Sequence, residues 1–432
     1  MSQSRRETGE GRALRTAGDA RHGASARRRA RARHGDAPPA PAAGALRAIA
    51  AEAGLERVRI VAWRDLEDPE AGGSELHAHR IAAAWAAAGL DVELRASAVV
   101  GAPEVAVREG YRVVRRSGRY AVFARAGWET WRRPLGPGGG LVEIWNGMPF
   151  WSPLWHRGPR VVFLHHVHAE MWDMTLPGWI ARLGDFTERR IAPPLYRSTR
   201  VVTLSPSSRD EIVAMLGLDP ARVSVAPPGV DSRFSPGGSP SPVPLVVAVG
   251  RLVPVKRFDL LIRALVRVKG TCPSLEAVVV GEGYERARLE RLRDGLGAGP
   301  WLSLPGRLGD DQLVDCYRRA WVVASTSLRE GWGMTLTEAG ACGVPAVATD
   351  IAGHRDAVVH GRTGLLADGV DALAAALSAV IADRALRARL GDGALQHARG
   401  FAWETTARAT LEALAEESYW ASGRRLPAAA LR

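Results

Sequence analysis

Two glutamates, Glu330 and Glu338, stand eight positions apart in EGWGMTLTE, with two glycines between them. An ionised carboxylate is acceptor-only and can take two hydroxyl protons at once. Such charge-assisted bonds contribute about 1.5–3 kcal/mol each. Gly343, with Pro345 two residues on, is a helix stop, so a short helix is expected from about Met334 to Cys342. Its first-turn amides have no internal partners and suit a phosphate. Gly331 and Gly333 let a ligand come close to the backbone. Eight residues of continuous helix would span ~12 Å. Folded through a turn, the two acids can instead flank a diphosphate that carries hydroxylated groups at both ends, the layout of a nucleotide-sugar. A helix with solvated charges would explain the acids but not their placement around a glycine turn.

A diphosphate needs cations, and GRLVPVKRFD (250–259) offers Arg251 and Lys256 just beyond the strand-like LVVAVG. Lys256 is one of only two lysines in the chain, the other being Lys269. In so arginine-rich a protein, a compact point charge is a distinct choice from a planar fork. Ordinary surface charge is the competing reading. Glu282, between Gly281 and Gly283, reads mainly as part of a tight turn between strand and helix.

VVFLHHVHAEMW (161–172) gathers His165, His166 and His168. If the strand runs that far, alternation puts His166 and His168 on one side and His165 on the other. No acidic DxD-type motif accompanies them, which weighs against a metal site. Of the 14 tryptophans, seven fall between Trp128 and Trp179, in proline- and glycine-rich stretches. Much of this is expected in the core, yet loops carry specificity. The Trp151 and Trp155 loop is therefore read as an acceptor pocket or an interfacial membrane contact.

The elements that position these residues alternate along the chain. RVRIVAW (57–63), then AGGSELHAHRIAAAWAAAGL, then DVELRAS reads as strand, glycine turn, helix, strand: a first βαβ unit. YRVVRR, LVEIWN, RVVFLHH and RVVTLS are further strands. SPSSRDEIVAML is a helix with Ser205, Ser207 or Ser208 as its cap. Residues 226–244, dense in proline, glycine and serine, form a linker. The alternation then restarts, with DALAAALSAVIADRALRARL as a late helix. This predicts an α/β protein of two Rossmann-like, doubly wound parallel-sheet domains, 56–225 and 245–400, with ligands at the carboxyl ends of their strands.

At 432 residues two domains are also what size requires. No apolar run reaches the ~18 residues that span a bilayer. Three scattered cysteines, Cys272, Cys316 and Cys342, fit a reducing cytoplasm and argue against a disulfide framework or a zinc site. Half of the +12 net charge sits in residues 1–40, which hold ten arginines against four acids. Residues 1–45 are expected to be a disordered basic tail, able to meet an anionic membrane surface or nucleic acid. The folded part lacks the aromatic-basic signatures of an RNA module, so no nucleic-acid partner is expected.

The stretch from GRLVPVKRFD through VVVGEGYERARLERL and STSLREGWGMTLTEAGACGVPAVATDIAGHRDAVVHGRTGLL to FAWETTA resembles the donor-binding half of glycosyltransferase family 4. The family has the GT-B fold, and its members are retaining, metal-independent and dependent on nucleotide-sugars. The resemblance is strong over 245–405 and weaker over 57–235. It implies that Glu330 contacts the donor sugar and Glu338 the ribose. It implies that Arg251 and Lys256 hold the diphosphate, with amides around Met334, Thr335 and Leu336. Arg307 would face the base, Gly72 and Gly73 would approach the phosphate across the cleft, and His165 would face the donor sugar. It also implies that 401–422 crosses back to the first domain. The donor would be GDP- or UDP-linked, and the acceptor a glycan or glycolipid, a lipid-linked or polysaccharide precursor. No cofactor or metal is implied, and the setting would be the cytoplasm or the inner face of the membrane.

Two rivals come from other classes. A dinucleotide-dependent oxidoreductase would want G-x-G-x-x-G after its first strand; AGGSELH lacks that spacing and VVGEGYERA matches only its first two glycines. A non-catalytic nucleotide-sugar binder would keep the two-acid clamp without needing an acceptor site.

Overall fold

The β-branched runs assemble into two separate sheets in the computed structural model, which describes residues 40–169 and 171–423. The first contains β1 (Arg57–Val61), β2 (Asp91–Ala96), β3 (Val105–Arg108), β4 (Tyr111–Arg115), β5 (Gly139–Trp145), β6 (Arg160–Leu164), β7 (Arg200–Thr203) and β8 (Val223–Val225). Their spatial order is β3-β4-β2-β1-β5-β6-β7-β8. The second contains β9 (Leu245–Val249), β10 (Glu276–Val280), β11 (Leu302–Gly306), β12 (Val322–Ser325), β13 (Ala346–Thr349) and β14 (Gly364–Ala367). Here the order is β11-β10-β9-β12-β13-β14. The neighbours are parallel except for β3 on β4. Strands such as LVVAV are buried along nearly their whole length, as expected where helices cover both faces.

The strand order reverses between β1 and β5 in the first domain and between β9 and β12 in the second. These are the topological switch points, where an open α/β sheet leaves a crevice at its carboxyl edge. The loops that follow β1, β5, β9 and β12 carry the candidate site.

Three expectations change. Residues 40–45 are not tail: the helix Ala40–Ala53 starts there, and residues 1–39 lie outside those described. Its alanine-rich sequence favours helix, and Leu46, Ala50 and Ala53 bury one face in the first domain's core. The single late helix is two, Gly369–Ala382 and Arg384–Ala398. Asp383 ends one and caps the next, its Oδ1 accepting from the Ala385 and Leu386 amides at 2.8 and 2.9 Å. The antiparallel edge β3 and the helix Ala121–Arg132 were not anticipated.

The linker 226–244 holds no helix or strand, yet it is pinned. Trp321 Nε1 donates to Ser241 O (2.8 Å), and Arg318 Nε to Ser235 O (2.8 Å). The helix Trp403–Ser422 lies on the first domain. Trp85 Nε1 donates to Ala407 O (2.9 Å), Ser418 Oγ to Ala53 O (2.9 Å), and Leu411 and Leu414 are fully buried.

Candidate active site

The second domain supplies the charges. Beyond β9 the chain passes Arg251 and makes a 3-10 turn, Pro254–Lys256, then Arg257 in the left-handed region (φ 49°). Thr326, just after β12, donates to the Lys256 and Arg257 carbonyls (3.0 and 2.9 Å) and so fixes this turn against the next strand. Lys256 Nζ pairs with Glu330 Oε1, which also accepts from Ser327 Oγ at 2.7 Å. Burial alone would raise the Glu330 carboxyl, but the adjacent Lys256 and the nearby His354 outweigh it and hold Glu330 below its usual range.

His354 was missed at the sequence level. It is fully buried, with Nδ1 2.9 Å from Thr349 O and Nε2 3.1 Å from Ser325 Oγ. Burial lowers its pKa, against the opposing pull of Glu330, and the Thr349 carbonyl fixes the ring's orientation. It props the loop from which Glu330 projects.

The helix that follows is Met334–Ala341, with Gly333 before it and Cys342 after it. The Leu336 amide is already bound to Gly333 O (2.9 Å), so of the three expected phosphate amides that one is engaged within the turn. The Leu336 side chain is core. Met334 and Thr335 are half-buried. Glu338 has other partners than Glu330: it accepts from Tyr317 OH (3.1 Å) and lies near Asp231 and Arg233 of the linker. Burial pushes its carboxyl up to about 7. The two acids thus sit in different settings on either side of the helix start.

Gly331 also lies where the two domains meet. A side chain there would collide with the His165 carbonyl of the first domain, so the glycine permits backbone-to-backbone approach between the domains, not only approach of a ligand. Arg307 is exposed just beyond the edge strand β11, two strands from the switch point.

The first domain closes the site from the opposite side. Gly72 precedes the helix Gly73–Ala87, and Glu75 reaches back to the Gly72 amide (2.8 Å). A Cβ on Gly72 would lie 3.5 Å from Arg251 Nε, and one on Gly73 3.0 Å from Met334 Sδ, so these two glycines face the second domain's cluster. Buried Arg64 pairs with Glu75 (3.2 Å) beneath the turn. Burial and the like charge of Arg64 lower the Arg251 pKa. Glu75 carries a readable signal, an acid three residues after the glycine cap of its helix.

β6 stops at Leu164, before the histidines, so strand alternation does not govern them. His166 and His168 nevertheless come together, stacked at 5.1 Å and 19°. His165 Nε2 lies 3.0 Å from His77 Nδ1, and burial lowers the pKa of both rings, His165 to about 4. Among the described residues no three His, Cys, Asp or Glu side chains converge as metal ligands. The loop is held by a buried acid that sequence reading overlooked. Glu188 accepts from the His168 amide (3.0 Å), the Ala169 amide (3.3 Å) and Trp172 Nε1 (3.0 Å). It is carried by a π-helical turn, Thr187–Ile191. Glu143 does the same for the next loop, accepting from the Phe150 amide (2.6 Å) and Tyr196 OH (2.8 Å).

That second anchor changes the reading of the tryptophan loop. Trp151 packs beside the core, and Trp155 Nε1 donates to Phe150 O (2.8 Å) with its ring against Gly127. Both rings are half-buried.

Comparison with known proteins agrees with this geometry. A family model described as Glycosyltransferase Family 4 matches residues 71–234, and one described as Glycosyl transferases group 1 matches 231–397. A D-inositol 3-phosphate glycosyltransferase of Geodermatophilus obscurus is 34% identical over 318 residues, covering 62% of this chain and 70% of the relative. Other relatives of the same name are matched over about half of their length. Among solved structures, sucrose-phosphate synthase from Thermosynechococcus elongatus superposes with a TM-score of 0.70 at 21% identity, over 82% of this chain and 96% of that one. HepE of Anabaena, in complex with UDP-glucose, gives 0.63 at 19% identity, over 82% and 98%. With two doubly wound domains, a switch point in each, and two family models matching consecutive stretches, the chain belongs to glycosyltransferase family 4 and has the GT-B fold.

Proposed function

We propose that this protein transfers a sugar from a UDP- or GDP-linked donor to an acceptor hydroxyl, with retention of anomeric configuration and without a metal ion. The observation that carries the reading is the Lys256–Glu330 pair at the β9–β12 switch point, with Arg251 beside Gly72 across the cleft. When the sugar–phosphate bond breaks, its electron pair leaves on the diphosphate. Arg251, Lys256 and the start of the helix Met334–Ala341 are placed to stabilise that charge. Glu330, kept ionised, can accept hydroxyls of the donor sugar, and Glu338 those of the ribose. His165 has Nε2 committed to His77; its Nδ1, without a partner among the described residues, is the position left for a sugar hydroxyl.

The UDP-glucose complex of HepE supports a UDP donor, and the inositol phosphate in the relatives' name supports a phosphorylated cyclitol beside lipid-linked and polysaccharide precursors as acceptors to be tried. The test is thermal stability with UDP, GDP, dTDP, ADP and NAD, followed by NMR of products from the matching donor and that acceptor panel. A ligand at a hundred times its dissociation constant adds about 2.7 kcal/mol. One nucleoside diphosphate, and not NAD, should raise the melting temperature. The product should keep the donor's anomeric configuration, and Glu330→Ala should lower turnover by about 100-fold or more. An inverted product would sink the retention claim. Stabilisation by NAD alone would sink the whole reading, and nucleotide binding without turnover on any acceptor would favour a non-catalytic binder.

A further inference from the structure

We propose that the outer face of the first domain formed by the helices Ala121–Arg132, Ser152–Trp155, Gly178–Phe186 and Ala192–Tyr196 is a docking surface for an anionic lipid bilayer. These helices, with the π-helical turn Thr187–Ile191, touch one another in series and form a continuous layer. Several large apolar side chains on it point to solvent: Trp128 (51% exposed), Trp131 (68%), Trp179 (70%), Leu183 (54%) and Phe186 (54%). In the helix Gly178–Phe186 the exposed residues 179, 183 and 186 recur at helical spacing, while Ala181 and Gly184 face inward. The stripe is one face of an amphipathic helix, left exposed among the described residues. Large apolar side chains exposed together on one layer of helices mark an interaction site.

Charge selects the occupant. Between 178 and 197 the exposed arginines Arg182, Arg190 and Arg197 outnumber the one partly exposed acid, Asp185, which is paired with Arg189 (2.6 Å). On the neighbouring helix the Arg132 guanidinium lies 5.0 Å from the Trp128 ring centroid. Tryptophan with one apolar and one wet side, bordered by arginine, matches the boundary between acyl chains and anionic headgroups. A second copy in an isologous contact would instead bring these arginines against their own equivalents, which is repulsive. The face also continues into the cleft: the helix Met171–Thr175 touches both the helix Gly178–Phe186 and the Pro254–Lys256 turn of the second domain. Seating this surface on a bilayer sets the mouth of the site at headgroup level, where a lipid-borne hydroxyl can enter.

The test is co-sedimentation of the full chain with phosphatidylcholine vesicles, with and without phosphatidylglycerol, at low and high salt. The wild type should bind the phosphatidylglycerol vesicles. Trp179→Ser combined with Leu183→Ser should weaken that binding by about tenfold or more, with melting temperature and nucleotide binding unchanged. Arg182→Glu combined with Arg190→Glu, an independent pair should the first not fold, should abolish the preference for the anionic lipid. No binding by the wild type would overturn the proposal. Binding that vanishes in salt yet ignores both double variants would overturn it too, and would belong to the arginines of residues 1–40. A wild-type dimer that fails to bind vesicles and is dispersed by the same substitutions would assign the face to a second copy.

Discussion

Glu338 is where chemistry at one atom pair sets the behaviour of the whole site. Its carboxyl is pushed up to about 7 from the ordinary 4.5 by burial, while the ribose role proposed for it uses the ionised form. The two demands have opposite signs with pH. A raised folded-state pKa means that the apo fold gains from protonating this group. That contribution is full below about 4.5 and is lost as pH rises through about 7. Nucleotide affinity should move the other way, weakening by up to about tenfold per unit as pH falls below about 7. Titration calorimetry from pH 5 to about 8 checks this, and Glu338→Gln should flatten the slope while lowering affinity overall. Most of this residue scale was legible in advance. The Glu-x7-Glu spacing, Arg251 and Lys256 are local in sequence, and the structure puts them at one switch point. His354 and Tyr317 were not legible, because each reaches its acid only through strands paired at long range. The Arg307 expectation rested on resemblance alone, and the structure leaves that residue at the sheet edge.

At the scale of elements, the loops after β5 and β6 are held by buried acids. Glu188 is fully buried and satisfies three N–H groups of the loop after β6. Burial raises its pKa, and the hydrogen bonds from His168, Trp172 and Ala169 oppose that. Glu188→Ala would leave these donors unpaired, at a cost of about 1–3 kcal/mol for each that water cannot reach. A fall in urea midpoint together with a higher KM for the donor is expected; Glu188→Gln, which keeps an acceptor, should recover most of the stability. Unchanged KM in the alanine variant would show that the loop holds its shape without this anchor. Strand content and the βαβ order follow from apolar runs and glycine turns, and these were readable. The π-helical turn was not, since one extra residue in a helix leaves no mark in hydrophobic spacing. The helix at Ala40 was hidden by proline and charge nearby, although its alanines favour it.

At the scale of the molecule, a line of contacts joins the two domains along one side of the cleft. Arg329 of the second domain donates to Val167 O (3.0 Å) and pairs with Glu211, Ser208 Oγ donates to Gly331 O (3.2 Å), and Ser207 pairs with Asp356. Arg329→Ala removes two of these links and should let the apo domains move apart, with a larger radius of gyration in X-ray scattering that returns toward wild type on adding nucleotide. Identical apo scattering would place the restraint elsewhere. Two domains and a linker were legible from length and composition. Their mutual contacts were not, because they join polar residues whose types fit any surface.

The helix Trp403–Ser422 comes after the entire second domain yet completes the core of the first, burying Leu411 and Leu414 and bonding to Trp85. The second domain is therefore an insertion in a discontinuous first one. During synthesis, residues 57–225 must leave the ribosome and wait for roughly 180 more before their last hydrophobic face is covered. At ~5–20 residues per second that is on the order of ten seconds or more of exposed apolar surface. The second domain, whose sheet is made from one unbroken stretch of chain, can fold in that interval, so the half made first is the half finished last.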